Sequence, residues 1–279
     1  MSNLGNANKH GLSRRIPEPI AREVRQRSMF GCVVCRSAVC HYEHIEPEFC
    51  DAAEHDPDHI CLLCGHCHDK ATRGHLSKAS IQKHYQRVRT SESVKRPFDE
   101  FDLDGELTVV LGSCTFHGAK ILIEIDGETA LAIEPPEDGA SFPTLSGCFM
   151  DGCGRELLRI ERNIWTGPST AWDVEVKGPT ITVRPARRVI GLRLRVDPPN
   201  QIAVEALEMR VGECHIALKS DFLEVGRITP DAEYHVGIER MECHEVDVAV
   251  QVDTRTCPSI DPGQISIVGG EGIGLGACP

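Results

Sequence analysis

The sequence predicts an α+β chain in which a small zinc-stapled head is followed by a larger β-rich body with a sandwich- or roll-like arrangement. Three observations predict it: two C-x2-C pairs in the first third, a change of charge near Pro97, and short runs of Val, Ile, Leu and Thr recurring from Leu107 to Val252. A chain of 279 residues can bury two modest cores. Residues 1–97 carry 15 Lys and Arg against 11 Asp and Glu, whereas residues 98–279 carry 15 against 31. The formal charge of −12 therefore hides a mildly basic head on an acidic body. A phosphate-binding surface would lie in the head, where Arg14, Arg15, Arg22, Arg25, Arg27, Arg36, Arg73, Arg87 and Arg89 fall; a solvated helix face is the plainer alternative.

Residues 1–15 are rich in Asn, Gly, Ser and basic side chains, and a flexible basic arm is expected. The head is expected over residues 16–97. Its first helix opens at Ile16-Pro17-Glu18-Pro19, with prolines in the first turn and Ile20 and Val24 four apart, and should stop before Gly31. Val39 to Ile45 and Ile60 to Leu63 suit two strands separated by a polar loop. A helix should begin near Gly65 and carry His68, and another should span Ala79 to Val88, where Ile81, Tyr85 and Val88 keep helical spacing. Residues 98–104 read as a linker.

The body is expected over residues 105–279. Strands are predicted at Leu107–Leu111, Ile121–Ile125, Leu157–Ile160, Ile181–Val183, Val189–Val196, Ile202–Leu207, His215–Leu218 and Val246–Val252, with turns such as Asp126-Gly127 between them. An antiparallel sandwich or roll follows, although evenly spaced short strands leave a β-solenoid open. Gly269 to Pro279 reads as a loose tail.

Nine of the 13 histidines and seven of the 14 cysteines crowd into the head. The chain opens without a charged-then-apolar signal segment, so the thiols are expected to be metal ligands in a reducing cytoplasm rather than disulfides. No stretch approaches the roughly 18 apolar residues of a membrane span, which argues for a soluble, intracellular protein. Cys32-Val33-Val34-Cys35 and Cys64-Gly65-His66-Cys67 can close one tetrahedral site with four thiolates. The 28 residues between these knuckles exceed the ~15–20 of a plain zinc ribbon, leaving room for a hairpin. Zinc binding worth roughly 10–16 kcal/mol can decide whether so small a head folds.

A structural staple alone needs neither His41-Tyr42-Glu43-His44 in the loop nor His68 directly after Cys67. In a strand Glu43 and His44 point to opposite faces, and on a helix His68 lies about 100° from Cys67. One carboxylate, one helix-borne imidazole and one free imidazole suit metal-assisted hydrolysis.

Gly31 to Cys35, Tyr42-Glu43-His44-Ile45-Glu46-Pro47, and His55-Asp56-Pro57-Asp58-His59-Ile60-Cys61-Leu62-Leu63-Cys64-Gly65-His66-Cys67-His68 together resemble the HNH endonuclease family in its zinc-bound ββα-metal form, over about residues 16–90. The resemblance implies structural Zn²⁺ on Cys32, Cys35, Cys64 and Cys67, and a catalytic Mg²⁺ (or Mn²⁺, Ni²⁺ or Zn²⁺) on Glu43 and His68. His44 takes the position of the general base. His59 stands where the family usually has Asn, so it either braces the loop holding the base or adds a metal ligand. The implied substrate is DNA, with Lys70 and Arg73 as candidates to hold flanking phosphates or else part of a solvated helix face. His75 is a further candidate ligand.

The resemblance suits a bacterial defence effector, with the acidic body docking a protein partner, assembling with itself or sensing a ligand. The alternatives are a zinc module that binds nucleic acid or protein without catalysis, and an enzyme acting on something other than nucleic acid. Cys40, Cys50 and Cys61 are expected as thiols outside the zinc, Cys148 and Cys153 as core or turn residues, and Trp165 and Trp172 either as core aromatics or as stacking surfaces.

Overall fold

The structure, a computed structural model, describes residues 7–91, 94–134, 136, 142–168, 170–219, 222–252 and 265–266. The fold is α+β and strongly β-rich, with three helices among the described residues, all in the head. It divides into two compact units, Met1–Asp99 with Gly167–Val176 and Glu100–Thr166 with Lys177–Pro279.

The head follows the expected order. Helix α1 spans Glu18–Arg27, strands β1 and β2 span Cys40–His44 and Ile60–Cys64, and helices α2 and α3 span Gly65–Thr72 and Lys78–Thr90. Helix α1 has proline in its first turn and Arg25 and Arg27 in its last, where cations favour the dipole. Strands β1 and β2 pair antiparallel, from Cys40 opposite Cys64 to His44 opposite Ile60. All five residues of β2 are buried because both of its faces are covered. Cys61 and Leu63 pack with Cys32, Val33, Ile81, Tyr85 and Val88, whereas Ile60 and Leu62 pack with Val24 of α1. A strand covered on both sides reads as the uninterrupted apolar run Ile-Cys-Leu-Leu-Cys, without the alternation of a half-exposed strand.

Four expectations need correction. Residues 7–15 are not loose: Ala7 bridges Ser13, and the Asn8 amide donates to the carbonyls of Phe49 (2.5 Å) and Ala52 (2.7 Å). The polar composition of this arm serves hydrogen bonds to the head's own backbone. The linker begins as a strand, Phe98–Glu100, whose Phe98 N–H donates to the Arg36 carbonyl at 3.1 Å. The basic surface is smaller than the arginine count suggests. Buried Arg36 donates to the carbonyls of Ser28, Met29, Gly31, Cys32 and Lys95, which ties down the turn around the first knuckle. The fourth correction is that Gly167–Val176, expected in the body, belongs to the head unit through Asp173. Its carboxylate, 1% exposed, takes two bonds of 2.8 Å from Arg25, whose guanidinium also reaches Tyr42 Oη and Glu18.

Among the described residues, the body contains two sheets. One runs in the order Ile265–Ser266, Val248–Val252, Ile121–Ile125, Glu128–Glu134, Thr144–Met150, Glu156–Glu161 and Ile164–Thr166. The other contains the antiparallel meander Thr180–Arg184, Leu192–Asp197, Gln201–Val211, Cys214–Lys219, Phe222–Ile228 and Glu233–Ile238. Asp126-Gly127, with φ of 55° and 80°, makes a two-residue hairpin turn of the kind that needs left-handed backbone. Most strand pairs are antiparallel, as expected, but Thr108–Leu111 pairs parallel with Gln201–Val211, Cys114–His117 with Glu242–His244, and Ile121–Ile125 with Val248–Val252. Strands at Cys114–His117, Glu128–Glu134, Thr144–Met150, Phe222–Ile228 and Glu233–Ile238 were missed in sequence, because their polar, Gly and Ala positions dilute the branched-residue signal. The expected loose tail from Gly269 lies outside the described residues, and among those described no helix is long and apolar enough to cross a membrane.

Removing Asp173 leaves the buried Arg25 guanidinium to the exposed Glu18 and to Tyr42, a poorer pairing for an interior charge. Asp173→Ala should lower head stability by about 3–5 kcal/mol in chemical denaturation. A change below ~1 kcal/mol would show that solvent already screens the pair.

Candidate active site

The four knuckle sulfurs, from Cys32, Cys35, Cys64 and Cys67, all lie within 4.8 Å of one another, a set that could hold a metal ion. Local backbone explains the clustering. Cys64 ends β2 and caps α2, its sulfur accepting from the Cys67 N–H at 3.5 Å, so strand and helix meet at the cluster. Burial opposes ionisation of Cys32, but N–H groups of Cys64, Cys35 and Val34 aimed at its sulfur outweigh burial and hold its pKa below the usual thiol value. Cys35 is pushed up to about 11, first by burial and then by the charge on Cys32, and Cys67 is raised for the same reasons. Four adjacent sulfurs cannot all ionise unaided, whereas a dication among them would stabilise every thiolate. Cys61, buried in the core, and Cys40, bonded to the Ser37 carbonyl at 3.1 Å, stand outside the cluster, as do Cys148 and Cys153.

Strand β1 turns Glu43 and His44 to different surroundings. Glu43 Oε2 lies 3.1 Å from His68 Nε2 on α2, and Glu43 Oε1 pairs with the ammonium of Lys78 at the start of α3. Two ligand atoms about 2.1 Å from one ion and 90° apart would be about 3 Å apart, so the Glu43–His68 spacing fits adjacent positions on a single cation. Lys78 also donates to the His44 carbonyl at 2.7 Å and so ties α3 to the end of β1. It was not identified from the sequence. The clue was a lysine directly after the N-cap Ser77, since a cation in a first helical turn opposes the dipole unless a carboxylate meets it.

His44 turns toward the loop between the strands. Its Nε2 lies 3.3 Å from His55 Nδ1, and His55 Nε2 lies 2.8 Å from the Ser13 carbonyl. A carbonyl only accepts, so His55 Nε2 carries a hydrogen and its Nδ1 accepts from His44 Nε2–H, leaving the lone pair of His44 on Nδ1. Burial first, and then the neighbouring His55 ring and the Lys78 ammonium, push His44 down to about 4 against the opposing pull of Glu43. Near pH 7 the ring is therefore neutral and able to accept a proton. Phe49 meets the His44 ring edge-on at 5.4 Å, and Arg14 lies over Phe49 at 4.7 Å.

The remaining expected site residues lie farther from this chemistry. His59 does not brace His44 with its imidazole, which is 51% exposed and 3.8 Å from Asp56. Its backbone carbonyl instead accepts from Ile45 N–H at 2.8 Å, while His55, buried and unassigned in the sequence, contacts the base. The His59 ring joins His44, Pro47, Glu54 and Asp56 in lining a cleft of about 260 Å³. Lys70 is exposed on α2, and Arg73 pairs with Asp69 at 2.9 Å. His75 is exposed and joins no metal-capable group among the described residues. Trp165 is core, stacked on Phe101, whereas Trp172 lies under the Arg22 guanidinium.

Comparison of the chain with protein-family models, with curated proteins and with solved structures finds no match.

Proposed function

We propose that this chain is a metal-dependent endonuclease of the HNH type that hydrolyses DNA phosphodiester bonds, with a structural zinc on the four cysteines. The observation that carries this reading is the 3.1 Å approach of Glu43 to His68, beside a neutral His44 whose ring is fixed by His55. A β1–β2 hairpin running into α2, with the sulfur cluster at the β2–α2 junction, supports the ββα-metal reading, as does the motif order along the chain.

In this reading Glu43 and His68 hold a Mg²⁺ or similar ion, which when bound offsets charge on the phosphate and on the departing sugar oxygen. His44 Nδ1 takes one proton from a water, and the hydroxide attacks phosphorus in line with the leaving oxygen. The His44–His55–Ser13 chain keeps the accepting lone pair on Nδ1 and the ring in one orientation. Lys78 partly neutralises Glu43 and fixes its carboxylate, leaving Oε2 toward His68. His59, lining the cleft with His44, is placed to meet substrate rather than to brace the base. Lys70 and exposed Arg73 serve as phosphate contacts on α2. The body docks a protein partner or a second copy, as befits a cytoplasmic defence effector whose cutting must be controlled. The ion pair of Lys78 with Glu43 favours one second reading, a zinc module without catalysis in which the ammonium takes the place of a divalent ion.

Plasmid nicking by the full chain with Mg²⁺ or Mn²⁺ separates the two. His44→Ala should lower the rate by about 10²–10⁴-fold while zinc content stays constant. A parent protein that never nicks, with or without its native partner, would favour the non-catalytic module. Zinc content and circular dichroism give a separate check: Cys35→Ser should release the zinc and unfold the head while leaving the β signal of the body. Retention of a full zinc complement in that variant would refute the ligand set.

A further inference from the structure

The meander of the body brings a second set of metal-capable groups together. On the adjacent strands Cys214–Lys219, Phe222–Ile228 and Glu233–Ile238, His215 lies opposite Gly226 and Gly226 opposite His235. Cross-strand partners share a face, so the two imidazoles stand on either side of a position with no side chain. Glu224, two residues before Gly226, projects from the same face of the middle strand. One ligand atom from each of His215, Glu224 and His235 lies within 4.8 Å of the other two.

We propose that His215, Glu224 and His235 bind a divalent transition-metal ion of the zinc type, separate from the head's sulfur cluster and from Glu43 and His68. Glu224 Oε1 is 3.5 Å from His235 Nδ1 and 4.0 Å from His215 Nδ1. Ligands about 2.1 Å from a tetrahedral ion are about 3.4 Å apart, so His235 and Glu224 already stand at ligand spacing and closing the set draws His215 inward. Two further observations point to an ion. His215 Nδ1 is buried and has no hydrogen-bond partner, an arrangement that costs free energy and that a metal bond would relieve. His235 Nε2 lies 3.7 Å from Glu233, a carboxylate that would reach hydrogen-bond distance and orient the ring with a shift of a few tenths of an ångström.

Two imidazoles and one carboxylate favour a borderline cation such as Zn²⁺ over Mg²⁺ or Ca²⁺, which prefer oxygen. Three protein ligands leave a position for water or a small anion. The ion would cross-link three strands of the meander. A similar trio, His117, Glu242 and His244, is a weaker candidate: Glu242 and His244 are about two-thirds exposed, and the His117 and His244 rings stack at 4.5 Å instead of converging.

The full chain, stripped with chelator, reloaded with Zn²⁺ and freed of excess, is assayed for zinc per chain by mass spectrometry. His235→Ala and Glu224→Gln should each bind one ion fewer than the parent, whereas a Glu43→Ala/His68→Ala variant should keep the body's ion. Zn²⁺ should also raise the melting temperature of the Cys35→Ser chain's body, and His235→Ala should abolish that rise. Equal zinc content in the parent and both body variants would overturn the site, and so would a body melting temperature indifferent to Zn²⁺.

Discussion

The sulfur cluster is the constraint on which the head depends. Cys32 and Cys35 flank a tight turn, Cys64 closes β2, and Cys67 lies in the first turn of α2, so an ion held by the four sulfurs would fix from one point the angle at which strand and helix meet. That angle brings Glu43, three residues along β1 from Cys40, to His68, the residue after Cys67. The apolar core alone could not set it so closely, because side-chain packing tolerates shifts that four bonds to one ion would forbid. Arg36 reinforces the same turn by bonding the carbonyls that surround the first knuckle.

Around this anchor the head separates its polar groups by face. One side of β1 carries the carboxylate, its lysine and the helix-borne histidine; the other carries His44 and its partner His55. In the proposed reading, this separation would let one strand offer a cation-binding group and a proton acceptor from consecutive residues without the two neutralising each other. His44 is kept uncharged by burial and by neighbouring His55, while Glu43 pairs with the ammonium of Lys78. The body's own imidazole–carboxylate group lies in a regular meander, where glycine in the middle strand makes room for converging side chains.

Much of the head was legible because its signals are local. Knuckle spacing, prolines at the start of α1, and Ile81, Tyr85 and Val88 at helical intervals each follow from a few neighbouring residues. The sequence put Glu43 on the first strand and His68 on the helix directly after Cys67, but only the family resemblance put the two together; the structure brings them to 3.1 Å. What escaped depends on long-range contact: Asp173 pairing with Arg25 from 148 residues away, Lys78 reaching back to Glu43, and the imidazole of His55, not that of His59, meeting His44. The parallel strand pairs of the body escaped for the same reason, since alternation reveals a strand but not its neighbour.

Diffraction at the manganese absorption edge, from crystals of the full chain grown with Mn²⁺, tests the central claim most directly. The account predicts an anomalous peak bonded to Glu43 Oε2 and His68 Nε2, on the α2 side of β1. A Glu43 carboxylate held only by Lys78 and His68, with no peak between them at saturating Mn²⁺, would contradict it.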